Sequence, residues 1–196
     1  MKRVAVFCSG GGSDFQSIID ANEKDKFCDL CLMIASKPNI MAIDRANAHG
    51  IKSVVVDKND YPTLEETFQK IDEELEKEKI DFIVLAGYLS ILDEKFVAKR
   101  KGKIINIHPS LIPSFCGKGY YGLKVHEAAI ERGVKVSGAT VHFVDEGADT
   151  GKIIMQQAVE VLDDDTAESL QKRILETEHK MLPIAVKGLV EGKYKL

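Results

Sequence analysis

The chain has 196 residues, 44% of them hydrophobic, enough to bury one full core but short for two average domains. Lys plus Arg number 27 against 31 Asp plus Glu, a formal charge of −4, so the basic excess of a nucleic-acid binder is missing. No apolar run has the length of a membrane span or the form of a secretory leader, and the sequence reads as one cytoplasmic domain over 1–196.

Taken in chain order, Val4–Cys8 is a first strand, ended by the turn Ser9-Gly10-Gly11-Gly12-Ser13-Asp14, and Phe15–Asn22 a first helix. Strands follow at Leu30–Ala35, Ser53–Val56, Phe82–Leu85 and Ile104–Ile107, with helices at Met41–His49 and Leu64–Lys79, the latter opened by a Thr63-x-x-Glu66 capping box. The strands are nearly continuously apolar, as a parallel sheet with helices on both faces requires. After a loop, Pro109–Gly122, comes a helix at Leu123–Arg132. Two long β-rich runs, Lys135–Val144 and Ile153–Val161, then suggest a mixed or antiparallel edge. A last helix is expected over Thr166–Leu182, with Asp165-x-x-Glu168 at its start and Pro183 bending or ending it. The fold class is therefore α/β, a Rossmann-like single domain with a mostly parallel sheet.

Of the four cysteines, Cys28 and Cys31 form a C-x-x-C. Residues three apart on a strand point to opposite faces and no second pair completes a tetrahedral site, so buried reduced thiols are expected and no metal. The glycine turn after the first strand is the place where backbone N–H groups and a helix N-terminus receive a phosphate, although a plain tight turn would look the same. A dinucleotide fingerprint does not fit: Phe15 stands where the third glycine belongs, and the second strand ends in Ser36-Lys37-Pro38 without an acid.

The fifth strand ends in Asn106-Ile107-His108-Pro109, and positions two apart share a face, so an amide donor and a titratable imidazole project together at the C-terminal end of a central strand. Spacing alone leaves catalysis and a structural hydrogen-bonding cluster equally open. The run Val141 to Gly151 brings carboxylates in a glycine-containing loop, one of which would pair with His108 and favour its imidazolium form.

Several motifs together resemble the folate-dependent phosphoribosylglycinamide formyltransferase (glycinamide ribonucleotide transformylase) family, nearly end to end. They are Ile105-Asn106-Ile107-His108-Pro109-Ser110-Leu111-Ile112-Pro113, Thr140 to Val144 with Asp149-x-Gly151, the first glycine turn, Ala86 to Leu92, and Glu178-His179. The resemblance implies Asn106, His108 and Asp149 as catalytic groups. It also implies 10-formyltetrahydrofolate as co-substrate, without metal, and phosphoribosylglycinamide as the amine, with no nucleic-acid or membrane partner and a monomer or homodimer as the assembly. It places the amine substrate on Gly11, Gly12, Ser13, Asp14, Phe15 and Glu178 in the N-terminal half, and folate on Leu89, Ser90, Ile91, Leu92, Asn106 and Val144, with the C-terminal half contributing. Asp149 is expected to hold His108 charged, and Asn106 with protonated His108 to stabilise an oxyanion. Three departures stand out: Asp14 replaces the usual Asn, Ser90 the usual Arg, and no arginine lies near Thr63–Glu66. Formyltetrahydrofolate deformylase resembles a longer chain with an added N-terminal domain. Methionyl-tRNA formyltransferase adds a C-terminal domain and a basic surface, and a non-catalytic phosphate-binding module would need only the first turn.

Overall fold

A computed structural model describes residues 1–196. The order is β1 (Arg3–Cys8), α1 (Ser13–Asp25), β2 (Asp29–Ala35), α2 (Met41–Ala48), β3 (Lys52–Val55), α3 (Leu64–Lys77), β4 (Phe82–Leu85), α4 (Glu94–Ala98), β5 (Ile104–His108), α5 (Leu123–Arg132), β6 (Val136–Phe143), β7 (Ile153–Glu160) and α6 (Ala167–Val190). The strands form one seven-stranded sheet in the order β3-β2-β1-β4-β5-β6-β7. Neighbours from β3 to β5 pair in parallel, whereas β5–β6 and β6–β7 are antiparallel. This is the α/β class and the mixed edge that the sequence implied.

Side-chain alternation divides the core in two. Val4, Val6 and Cys8 of β1 pack under α1, α2, α5 and α6, while Ala5 and Phe7 face Phe68, Ile71 and Leu75 of α3 and Phe96 and Val97 of α4. The order reverses direction between β1 and β4, because β1 passes outward to β2 and the chain later returns to β4 on its other side. In open α/β sheets the crevice outside the strand ends at such a switch point is where ligands gather.

Three expectations need correction. The last helix does not stop near Pro183 but continues to Val190. A mid-helix proline costs about 3 kcal/mol, whereas each fully buried Val or Leu returns about 1.5–3 kcal/mol, and Val186 and Leu189 beyond the proline are buried. Its start is capped by Thr166 and Ser169 reciprocally, not by Asp165 and Glu168. Asp165 instead holds Arg173 through paired bonds of 2.7 Å. The thiols are free, but only Cys8 and Cys28 are buried; Cys31 and Cys116 are partly exposed. The sequence also gave no sign of α4, a short helix capped by Asp93.

Candidate active site

On β5, Ile105 and Ile107 enter the α1/α6 core, so Asn106 and His108 project from the opposite face. Antiparallel pairing sets Asn106 against His142 and His108 against Thr140 on β6. A register shift between Val141 and His142 at the β6–β7 ladder marks a bulge next to this pair. Beyond β6 the chain turns through 145–151, where the Asp145 side chain accepts from Gly147 N–H and the Thr150 hydroxyl. Asp149 sits in the left-handed region at φ 58°. At Gly151 a Cβ would strike the Phe143 carbonyl, which accounts for glycine there.

The turn delivers Asp149 between two imidazoles. Its Oδ2 is 3.6 Å from His108 Nδ1 and its Oδ1 3.6 Å from His142 Nε2. The Gly117 N–H donates to Oδ2 at 2.8 Å. His142 Nδ1 lies 2.7 Å from the Phe143 carbonyl, which can only accept, so Nδ1 carries the proton. Its Nε2 then accepts from Asn106 Nδ2 at 3.1 Å, leaving the second N–H of that amide for a ligand. His108 Nε2 donates to the Phe115 carbonyl at 2.9 Å. The 109–122 segment, a loop as expected, is thus tied to the site. Its root is held by Thr140, whose hydroxyl donates to the Ser110 carbonyl at 2.6 Å and accepts from Ile112 N–H and Gln156.

The electrostatics depart from expectation in one respect. Burial pushes His108 below the ordinary histidine value despite the opposing Asp149 carboxylate and Phe115 carbonyl, with His142 adding to the fall. Burial thus opposes the imidazolium, while the two acceptors that face the ring nitrogens favour it. Burial also acts to raise Asp149, but the neighbouring imidazoles of His142 and His108 and the Gly117 N–H together carry it below the usual carboxylate range. A firm carboxylate next to a buried imidazole can stabilise positive charge arriving on that ring.

The first turn lies across the crevice. Ser9 fixes it: its N–H donates to the Gly87 carbonyl at 3.1 Å, and its hydroxyl accepts from Leu89 N–H at 2.9 Å and Ser36 at 2.7 Å. Helix α1 begins at Gly12 in the left-handed conformation with no side-chain cap, so its first N–H groups lack side-chain partners. A Cβ on Gly12 would lie 2.7 Å from that of Ala42. Arg45 donates through Nε to the Gly11 carbonyl at 2.8 Å and through Nη1 to Gln16, bringing a cation to the turn that sequence reading did not single out. A groove of about 670 Å³ beside the turn is lined by Ser13, Gln16, Arg45 and His179 among others. Phe15 is fully buried in the core, so only its backbone N–H remains for a ligand. Glu178 of α6 is 6% exposed, and its carboxyl feels that of Asp14.

On the other side of the crevice, Leu89 and Ile91 are 59% and 76% exposed at the β4 exit. Leu92 and Val144 pack partly into the α3/α4 core. The first turn and the β4 exit are thus joined directly, through Ser9 and Leu89, and Asn106 and His108 lie on β5, the next strand in the sheet. His142, Ser9, Thr140 and Arg45 are the contributors sequence reasoning missed. His142 sat inside a quoted motif, but its role depends on β5–β6 pairing, which spacing along one strand does not reveal.

This fold and this triad of amide, imidazole and carboxylate define a class: residues 2–186 match the formyl transferase family, and the chain belongs to it. It is 40% identical over 191 residues to the phosphoribosylglycinamide formyltransferase of Bacillus subtilis, covering 97% of this chain and 95% of that protein. It is 43% identical over 194 residues to the trifunctional purine biosynthetic protein adenosine-3 of Drosophila melanogaster, covering 97% of this chain but 14% of that protein. With the chloroplastic phosphoribosylglycinamide formyltransferase of Vigna unguiculata it shares 42% identity over 194 residues, 98% of this chain and 62% of that one. Among solved structures it is similar to glycinamide ribonucleotide transformylase 1 from Symbiobacterium toebii, with a TM-score of 0.94 at 35% identity, covering 100% of this chain and 91% of that one. A formyltetrahydrofolate deformylase from Pseudomonas syringae pv. tomato shares the fold with a TM-score of 0.88 at 27% identity, but this chain spans 63% of its length.

Proposed function

We propose that this chain transfers the formyl group of 10-formyltetrahydrofolate to the amine of N1-(5-phosphoribosyl)glycinamide, a step of purine biosynthesis. The observation that carries the reading is the Asp149 carboxylate set 3.6 Å from both His108 and His142, with Asn106 oriented by His142. The uncapped start of α1 at Gly11, Gly12 and Ser13 suits the phosphate of the amine substrate, with Glu178 at its other edge. Leu89 to Leu92, Asn106 and Val144 suit the folate. The reading is of a cytoplasmic enzyme acting on small molecules as a monomer or homodimer; no helix is long and apolar enough to cross a membrane.

Formyl transfer makes negative charge on the formyl oxygen and positive charge on the attacking nitrogen. Asn106 meets the first through its free Nδ2–H, and His108 joins it when Nε2–H leaves the Phe115 carbonyl. Asp149 meets the second demand: it stabilises an imidazolium on His108, so that a proton leaving the amine is accepted there, directly or through water, and returned to the departing nitrogen. A low resting proton affinity of His108 keeps a base ready, and the fixed carboxylate pairs with the charge once it forms.

Incubation with 10-formyltetrahydrofolate, with and without the glycinamide ribonucleotide, tests the reading. Consumption only in the presence of the amine is expected. Consumption without it would point to deformylase chemistry, and none in either case to a binding module.

A further inference from the structure

We infer that Asp14 and Glu178 act as a proton-holding carboxyl pair beneath the first turn, and that docking of the phosphorylated amine is coupled to uptake of one proton by this pair. The inference rests on the assignment of the first turn as the phosphate site.

The pair is enclosed. Asp14 lies in the first turn of α1 with its side chain 13% exposed, and Glu178 approaches from α6 at 6% exposure. No charged partner closes on Asp14. Its Oδ1 has no hydrogen-bond partner, and His179 Nε2, 3.8 Å away, also has none. Strand β1 presents the neutral Cys8 thiol, whose proton is held more tightly by burial and, next, by the nearby Asp14. Helix α2 presents Arg45, engaged with the Gly11 carbonyl and Gln16. Helix α6 presents Glu178 and His179, the latter pushed down by burial and by Arg45 against the weaker pull of Asp20 and Glu176. Two carboxyls so placed cannot both ionise at low cost, because burial penalises each charge and each carboxylate opposes the other.

Consistent with this, burial pushes Asp14 up to about 7. Burial and the Asp14 charge also raise Glu178 well above the ordinary value. Both carboxyls thus hold their protons more tightly than exposed ones do, and Asp14 is placed to titrate near neutrality. A phosphate ester has its second pKa at about 6 and is mostly dianionic above neutrality. A dianion seated on the N–H groups of Ser13 and Asp14 disfavours the Asp14 carboxylate further, so the carboxyl takes up a proton as the ligand docks. Above pH 7 binding must then weaken with rising pH, by up to tenfold per unit while the free pair is ionised and the occupied one is not. An asparagine at this position carries no such proton.

Two measurements decide it. Infrared difference spectra of the protein alone between pH 6 and pH 8 should show a protonated-carboxyl band that is lost as pH rises and is missing from Asp14→Asn; its absence from the unsubstituted protein overturns the pair. Calorimetric titration with N1-(5-phosphoribosyl)glycinamide at pH 7.5, in buffers of different ionisation enthalpy, should give a proton uptake that exceeds that of Asp14→Asn by half to one proton. The ligand's own titration is common to both. Binding with equal proton counts overturns the coupling while leaving formyl transfer standing, whereas failure of the compound to bind either protein overturns both.

Discussion

Asp149 is held by a backbone N–H from the 109–122 segment, lies between two histidines, and occupies a left-handed backbone position in a turn closed by Asp145 and Gly151. Its side chain is where the loops meet and where the chemistry needs a fixed negative charge. Asp149→Asn is isosteric and should fold, yet it removes the counter-charge for His108. Loss of one charge-organising group costs about 10²–10³ in kcat, and a fall of at least about a hundredfold in a folded variant is expected from steady-state rates. The same substitution removes the main influence raising the proton affinity of His108, so its imidazole, followed by NMR titration, should titrate at lower pH than in the unsubstituted protein. A rise would contradict the arrangement. Asn106 and His108 were legible in the sequence because two-residue spacing puts them on one face. That Asp149, rather than Asp145 or Glu146, serves His108 follows from the turn geometry, which the family resemblance supplied and spacing did not. Asp149 does act to raise the proton affinity of His108, as its place in the motif suggested, whereas the opposing effect of burial is invisible in the sequence.

At the scale of elements, the turn from β1 into α1 sets how closely backbone can approach a ligand. Gly12 combines a φ of 69° with an approach of 2.7 Å between a notional Cβ and that of Ala42. Gly12→Ala should destabilise the fold by more than the ~1 kcal/mol of a left-handed alanine and raise KM for the amine more than KM for the folate. Denaturant unfolding and a pair of saturation curves would show this, and an unchanged stability would mean that the turn is looser than described. Helix α5 carries a different liability. His126 is 1% exposed, its Nδ1 has no partner, and burial, aided by His108, lowers it to about 4. A depressed folded value means that stability is full above about 6.5 and is lost as pH falls toward 4, because the unfolded chain takes the proton first. His126→Gln should flatten that part of the Tm–pH curve; an unaltered slope would exclude His126 as its source. The strands and most helices were readable because their apolar runs match the buried faces. Helix α4 was not, since five residues carry too little periodicity, and the run of α6 past Pro183 depends on burial against a sheet that local propensity cannot register.

For the molecule as a whole, the decisive feature is the reversal of strand order between β1 and β4. It sets the uncapped α1 start beside the exposed Leu89 and Ile91, with Asn106 and His108 on the next strand. The proposed transfer makes no call on the cysteines. Burial raises the proton affinity of all four thiols, with Cys28 pushed up to about 12. Slow modification by thiol reagents near neutral pH is expected, and rapid loss of activity without unfolding or blockage of the crevice would contradict this. The central claim is that the crevice passes a formyl group from one small molecule to the other. The most direct measurement follows a ¹³C label on the formyl carbon of 10-formyltetrahydrofolate by NMR while the protein turns over with N1-(5-phosphoribosyl)glycinamide. Transfer predicts that the label moves into the N-formyl amide of the product in step with loss of the folate signal, and its appearance as free formate instead would contradict it.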